Sequence, residues 1–127
     1  MFIADTDVLI DFLQGAGEAE RISRELDTGQ LYVTAITAFE LWAGAKSPQQ
    51  TAMVEALLAA LTILPLNDSS ARRAGEIYRE LAGSGTAIGM ADSLIAGIAL
   101  DRGAMLITRN RKHYQRVRGL KLSAQYR

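Results

Sequence analysis

The stretch FIADTDVLID, residues 2–11, sets an apolar run directly against acids: Phe2, Ile3 and Ala4 are followed at once by Asp5, Thr6 and Asp7, and Asp11 comes a helical turn later. A carboxylate taken out of water without a partner is strongly disfavoured. Acids placed immediately behind a buried run therefore need a reason to be there. Phe2–Ala4 reads as a short buried strand and Val8–Leu13 as the first turns of a helix ending at Gly15 or Gly17. That order puts Asp5 at the mouth of a sheet, just past the end of a strand.

The same alternation continues along the chain. Ala19, Ile22 and Leu26 fall at helical spacing with Gly29 as a stop, and LYVTA (31–35) is β-rich. ITAFELWAGA (36–45) reads as a helix. Ser47, Pro48 and Gln50 form a helix start, with Ser as cap and Pro at the first helical position, for a helix running to about Leu61. ILPL (63–66) is a candidate strand. Asp68 or Ser69 then caps a helix carrying Ala71, Ala74, Ile77, Tyr78 and Leu81 on one face, broken at Gly83–Gly85. GMADSLIAGIAL (89–100) is an almost wholly apolar helix stopped by Gly103. AMLIT (104–108) is a strand, NRKHYQRV (110–117) a short helix, and LKLSA (120–124) a last strand. Short apolar strands separated by helices predict an α/β fold with a central, mostly parallel sheet of four to five short strands. In such sheets ligands bind outside the carboxyl ends of the strands.

The chain has 127 residues, 49% of them hydrophobic, which suits one domain spanning residues 1–127. It has no cysteine, so disulfides and thiolate metal sites are excluded. No apolar stretch is long enough to cross a bilayer and no signal peptide is evident, so a cytoplasmic location without membrane association is expected. Net charge is zero, with 14 basic and 14 acidic residues, but no acid follows Asp101. That tail carries Arg102, Arg109, Arg111, Lys112, Arg116, Arg118, Lys121 and Arg127. Such asymmetry points either to an anionic partner or to a solvated basic edge balancing acids elsewhere.

Each candidate site residue has a structural alternative. Asp5 or Thr6 suits a helix cap, although one cap does not account for both Asp5 and Asp7. Asp11 reads as a surface acid. Glu40 lies three residues after Thr37, the spacing of a capping box. Asp92 sits among Met90, Ala91, Leu94, Ile95 and Ala96, and a charge there needs a helix N-terminus, an Arg or a ligand. Asn110 suits a cap, and His113, the only histidine, reads as a surface residue. Taken together, Asp5 and Asn110 follow strands, while Glu40 and Asp92 lie early in apolar helices, so one end of the sheet could collect all four. Carboxylates gathered at one point repel one another and must be neutralised. Oxygen donors without Cys or paired His favour Mg²⁺ or Mn²⁺, ions that activate water and clamp phosphodiester oxygens.

These segments resemble the PIN domain, specifically the VapC-type toxin endoribonucleases of toxin–antitoxin pairs, over nearly the whole chain. IADTDVLID resembles the family's opening, ITAFELWAG its second motif, ADSLIAGIAL its third and LITRNRKHYQRVRGLKL its closing stretch. The resemblance implies a three-layer α/β/α domain and a metal-dependent endoribonuclease. It implies Asp5, Glu40 and Asp92 as catalytic acids holding Mg²⁺ or Mn²⁺, directly or through water. Thr6 and Thr108 would support them, and Asp7 and Asn110 are further candidate ligands. Arg109, Arg111 and Lys112 are expected to position RNA. A homodimer, a cognate antitoxin that blocks the acidic pocket, and single-stranded or looped RNA are also implied. Asn110 departs from the family pattern, falling where many members carry a fourth acid. Asp7 falls where Asn or Ser is common, and Tyr114 stands in for the usual Phe. Alternatives are a catalytically silent RNA-binding module of the same fold and a haloacid-dehalogenase-type phosphatase. The phosphatase also opens Asp-x-Asp after a strand, but this chain lacks its second carboxylate pair. A response-regulator receiver would need an acceptor Asp near mid-chain, where the only acid between Glu40 and Asp68 is Glu55.

Overall fold

The structure, a computed structural model, describes residues 1–123. The elements run β1 (Phe2–Ala4), α1 (Thr6–Leu13), α2 (Ala19–Asp27), β2 (Leu31–Thr34), α3 (Ala35–Gly44), α4 (Pro48–Ala59), β3 (Thr62–Leu64), α5 (Asp68–Gly83), α6 (Met90–Arg102), β4 (Met105–Ile107), α7 (Arg111–Tyr114) and β5 (Lys121–Leu122). The five strands form one sheet in the order β3-β2-β1-β4-β5. Every neighbouring pair is parallel. Ala124, expected to close the last strand, and Arg127 of the basic tail lie outside the described residues.

Side chains alternate across the sheet, and the alternation assigns the helices to two layers. Ala4, Val33 and Ile107 pack with Val8, Leu9, Ile22, Leu41, Val54 and Leu57, the layer of α1 to α4. Ile3 and Leu106, their neighbours along the strands, pack on the opposite face with Ile77, Leu81, Ile95, Ile98 and Tyr114 from α5, α6 and α7. The chain is thus a three-layer α/β/α domain. Because β1 is central and the chain leaves it first toward β2 and later returns to its other side at β4, the sheet's switch point lies between β1 and β4.

Helices α5 and α6 pack closely at Gly97, where a Cβ would stand 2.7 Å from the Ser70 carbonyl oxygen and 2.8 Å from Ala74 Cβ. Gly103 ends α6 in the left-handed conformation, with φ 62°, as its place after the last helical residue predicts.

Three local expectations are corrected. The third strand is Thr62–Leu64 and stops before Pro65, which has no N–H to donate to the ladder. The cap of α5 is Asn67, whose side chain accepts from the Ser70 N–H while the Ser70 hydroxyl accepts from the Asn67 N–H. Helix α3 begins at Ala35, and its cap is Thr34, whose Oγ1 accepts from Thr37 N–H at 3.1 Å. The Thr37–Glu40 capping box therefore does not form, and Glu40 lies in the second turn of α3 with no capping role.

Candidate active site

Asp5 and Thr108 leave adjacent strands at the switch point. Asp5 is both the cap of α1 and a buried acid, only 6% exposed. Its Oδ1 accepts from Thr6 N–H at 2.9 Å and its Oδ2 from the Thr108 hydroxyl at 2.7 Å. Thr108 is held in turn by the Asn110 N–H, which donates to its Oγ1 at 2.9 Å. Burial raises the Asp5 pKa from 3.8 to about 6. Those hydrogen bonds oppose the rise, and the charges of Asp92 and Asp7 add to it.

Asp92 lies in the first turn of α6. Tyr114 joins it to Asp5. The phenol Oη is 3.1 Å from Asp92 Oδ1 and 3.5 Å from Asp5 Oδ1, so the two carboxylates are no further apart than those distances combined. Tyr114 is fully buried. Burial pushes its ionisation well above the ordinary range, and the charges of Asp5, Asp92 and Glu40 push it further. The phenol is therefore a neutral donor whose one hydrogen is shared between two carboxylate acceptors, Asp92 being the nearer.

Glu40 is held from α1. Its Oε1 lies 2.6 Å from Thr6 Oγ1, which lies 3.0 Å from Thr37 Oγ1. Thr6 has one hydrogen to give and the carboxylate is the stronger acceptor, so Thr37 donates back to Thr6. A hydroxyl chain from Thr34 and Thr37, both fully buried, thus leads through Thr6 to Glu40.

The remaining candidates sit on the rim. Asp7 meets Arg109 at 3.8 Å, and Arg109 also reaches Asp11 at 3.3 Å. Asp11, expected as a surface acid, is mostly buried and tied into the rim. Arg111 is turned back to the Ser123 carbonyl at 2.8 Å, bracing the end of β5. Lys112 is exposed. Asn110 precedes α7 without a side-chain cap, and its amide faces His113 Nδ1 at 2.8 Å. His113, expected on the surface, is only partly exposed and places the same Nδ1 3.3 Å from Asp92 Oδ2.

Sequence reasoning missed Tyr114 and His113 as site residues. Their one signal is the aromatic pair in a short basic helix directly after a strand. Asp92 lies 21 positions from His113, and Asp5 lies 109 from Tyr114.

The donors facing one another at this site are carboxylate oxygens, which suit a hard divalent cation. Among the described residues, no three Asp, Glu, His or Cys side chains stand close enough to hold one ion together. The Asp5–Asp92 pair nevertheless fits Mg²⁺ chemistry, in which one or two carboxylates bind the ion and water and phosphate oxygens complete its shell. Glu40 is held separately, on the Thr6 hydroxyl.

An acid pair at the switch point of a parallel three-layer sheet defines the class: an α/β protein whose working end is the carboxyl edge of β1 and β4. The particular family follows from comparison. A model of the PIN domain matches residues 2–120. The tRNA(fMet)-specific endonuclease VapC of Salmonella typhimurium is 32% identical over 125 residues, covering 95% of each chain. The protein of the same name from Shigella flexneri is 30% identical over 124 residues, covering 94% of each. The crystal structure of DNA-bound VapBC from Salmonella typhimurium superposes with a TM-score of 0.87 at 32% identity, over 96% of both chains. The chain belongs to the PIN domain family, and named VapC nucleases are among its relatives over almost their full length.

Proposed function

We propose that this protein is a metal-dependent endoribonuclease, the toxin of a VapBC-type pair, using Mg²⁺ or Mn²⁺ held by Asp5 and Asp92 with Glu40 acting through water. The observation that carries this reading is the convergence of Asp5 and Asp92 on one phenol oxygen at the end of the sheet. Two acids brought together, with burial first and the Asp92 charge second raising the Asp5 pKa, form a site short of positive charge. The chemistry a divalent cation supplies there is Lewis acidity, which lowers the pKa of a water and offsets charge on a phosphodiester.

The chain's own residues do the rest. Thr108 and the Thr6 N–H fix both oxygens of Asp5, Tyr114 and His113 fix those of Asp92, and Thr6 fixes Glu40. Such partners orient donors and hold them in place. In this reading Lys112, which is exposed, contacts the RNA backbone.

The partners expected are RNA, a cognate antitoxin and a second copy of the chain, in the cytoplasm. VapC relatives are named for tRNA(fMet), and solved neighbours are VapBC complexes. No helix among the described residues is long and apolar enough to cross a membrane. The test is a substrate panel with Mg²⁺ or Mn²⁺: tRNA(fMet), unstructured RNA and a small phosphate monoester. Cleavage of an RNA within its chain supports the reading. Hydrolysis of the monoester alone, or tight RNA binding without turnover, overturns it.

A further inference from the structure

Tyr114 is the largest fully buried side chain among the described residues. Its ring belongs to the core beneath α5 and α6, with Ile3, Leu106 and Ile98. Its hydroxyl emerges from that core at the acids. A buried phenol needs a partner, and this one has two, at 3.1 Å and 3.5 Å on different elements. Among the described residues no other side chain is hydrogen bonded to both Asp5 and Asp92.

We propose that Tyr114 is a positioning residue that holds Asp5 and Asp92 at the separation a divalent cation requires. This rests on the metal-site reading above. Three chemistries could fill the gap between two acids. A lysine or arginine would neutralise the pair and compete with the cation. A phenylalanine would leave the cation as the sole group holding together two like charges, which otherwise repel. A phenol gives one hydrogen and a dipole while adding no charge, so the pair keeps both its spacing and its negative charge.

The placement of α7 supports the assignment. The helix is only four residues long, and its other side chains face outward or to the rim. Asn110 N–H on Thr108 and Arg111 on the Ser123 carbonyl pin its start to β4 and its flank to the end of β5. The ring is clamped by the core and the backbone by the sheet, so the hydroxyl has little freedom to follow a carboxylate that moves. The carboxylates must conform to it.

The test is the dissociation constant for Mn²⁺, measured by calorimetry on the metal-free protein and on Tyr114→Phe, with thermal unfolding of both in EDTA. The ring packing survives this substitution. The expected result is Mn²⁺ binding weakened roughly tenfold or more, the scale on which outer partners of metal ligands act. A Tyr114→Phe protein that unfolds earlier but binds Mn²⁺ within twofold of the parent overturns the proposal, leaving Tyr114 a packing residue. If the parent binds no Mn²⁺ at all, the metal-site reading itself fails and this inference falls with it.

Discussion

Thr6 Oγ1 stands 2.6 Å from Glu40 Oε1, tying the first turn of α1 to the second turn of α3 across 34 positions of sequence. That bond joins the helices that follow two neighbouring strands, β1 and β2. Asp5 follows β1, Asp92 lies on α6, and Glu40, on α3, is held by this hydroxyl. Thr6→Val keeps the shape and removes the donor. RNA cleavage should fall about 10- to 100-fold, stability should fall by about 1 kcal/mol, and Thr6→Ser should restore most of both. Single-turnover cleavage with urea unfolding checks it. Full activity in Thr6→Val would mean that Glu40 needs no anchor.

Asp5 predicts a pH dependence with a definite sign. Its pKa is raised on folding from 3.8 to about 6, so between those values the folded state binds more protons than the unfolded one. Stability contributed by this group is then greatest below about pH 4, falls through the window, and levels off above about pH 6, by on the order of 3 kcal/mol in all. In EDTA, Asp5→Asn should flatten this slope and unfold at higher urea than the parent at pH 7. Parallel pH profiles for the two proteins would contradict the burial of a charged Asp5.

The basic residues of the rim should separate by role. Arg111 is engaged by the Ser123 carbonyl, so Arg111→Ala should lower the melting temperature. Lys112 is exposed, so Lys112→Ala should leave stability unchanged while reducing the salt dependence of RNA binding by about one counterion. Fluorescence anisotropy across a salt series reads the second, and thermal unfolding the first.

Gly97 should be the least replaceable residue of the α5–α6 contact. A methyl group there would meet the Ser70 carbonyl and Ala74 at 2.7 and 2.8 Å, both parts of an α5 whose own capping depends on Ser70. Gly97→Ala should destabilise the protein by roughly 1–3 kcal/mol through overpacking, although alanine is the better helix former. Denaturant unfolding at one pH suffices. A stabilised variant would show that the helices have room to part.

Much of this arrangement is legible in the residues because the strands are short, apolar and separated by helices, which leaves a parallel sheet as the natural solution. Asp5 is legible for the same reason: a strand ends where the acid begins. Details that depend on choosing between chemically similar neighbours are not. Asn67, Asp68 and Ser69 are equally good caps in composition, and burial of Ser70 under α6 selects Asn67. Thr34 and Thr37 compete in the same way, and the earlier start of α3 turns Glu40 from a capping residue into a partner for Thr6. Tyr114 and His113 are hidden for a different reason. Local pattern describes α7 as a short basic helix, and nothing in it tells that its aromatic face lies against acids contributed by β1 and α6.

The most direct test of the central claim, that Asp5 and Asp92 together hold the cation used to cut RNA, is cleavage of RNA by the purified protein across an Mn²⁺ titration, repeated in EDTA and with Asp92→Asn. Cleavage that rises with Mn²⁺, stops in EDTA and is lost in Asp92→Asn is the predicted result. Cleavage that persists both in EDTA and in Asp92→Asn would contradict it.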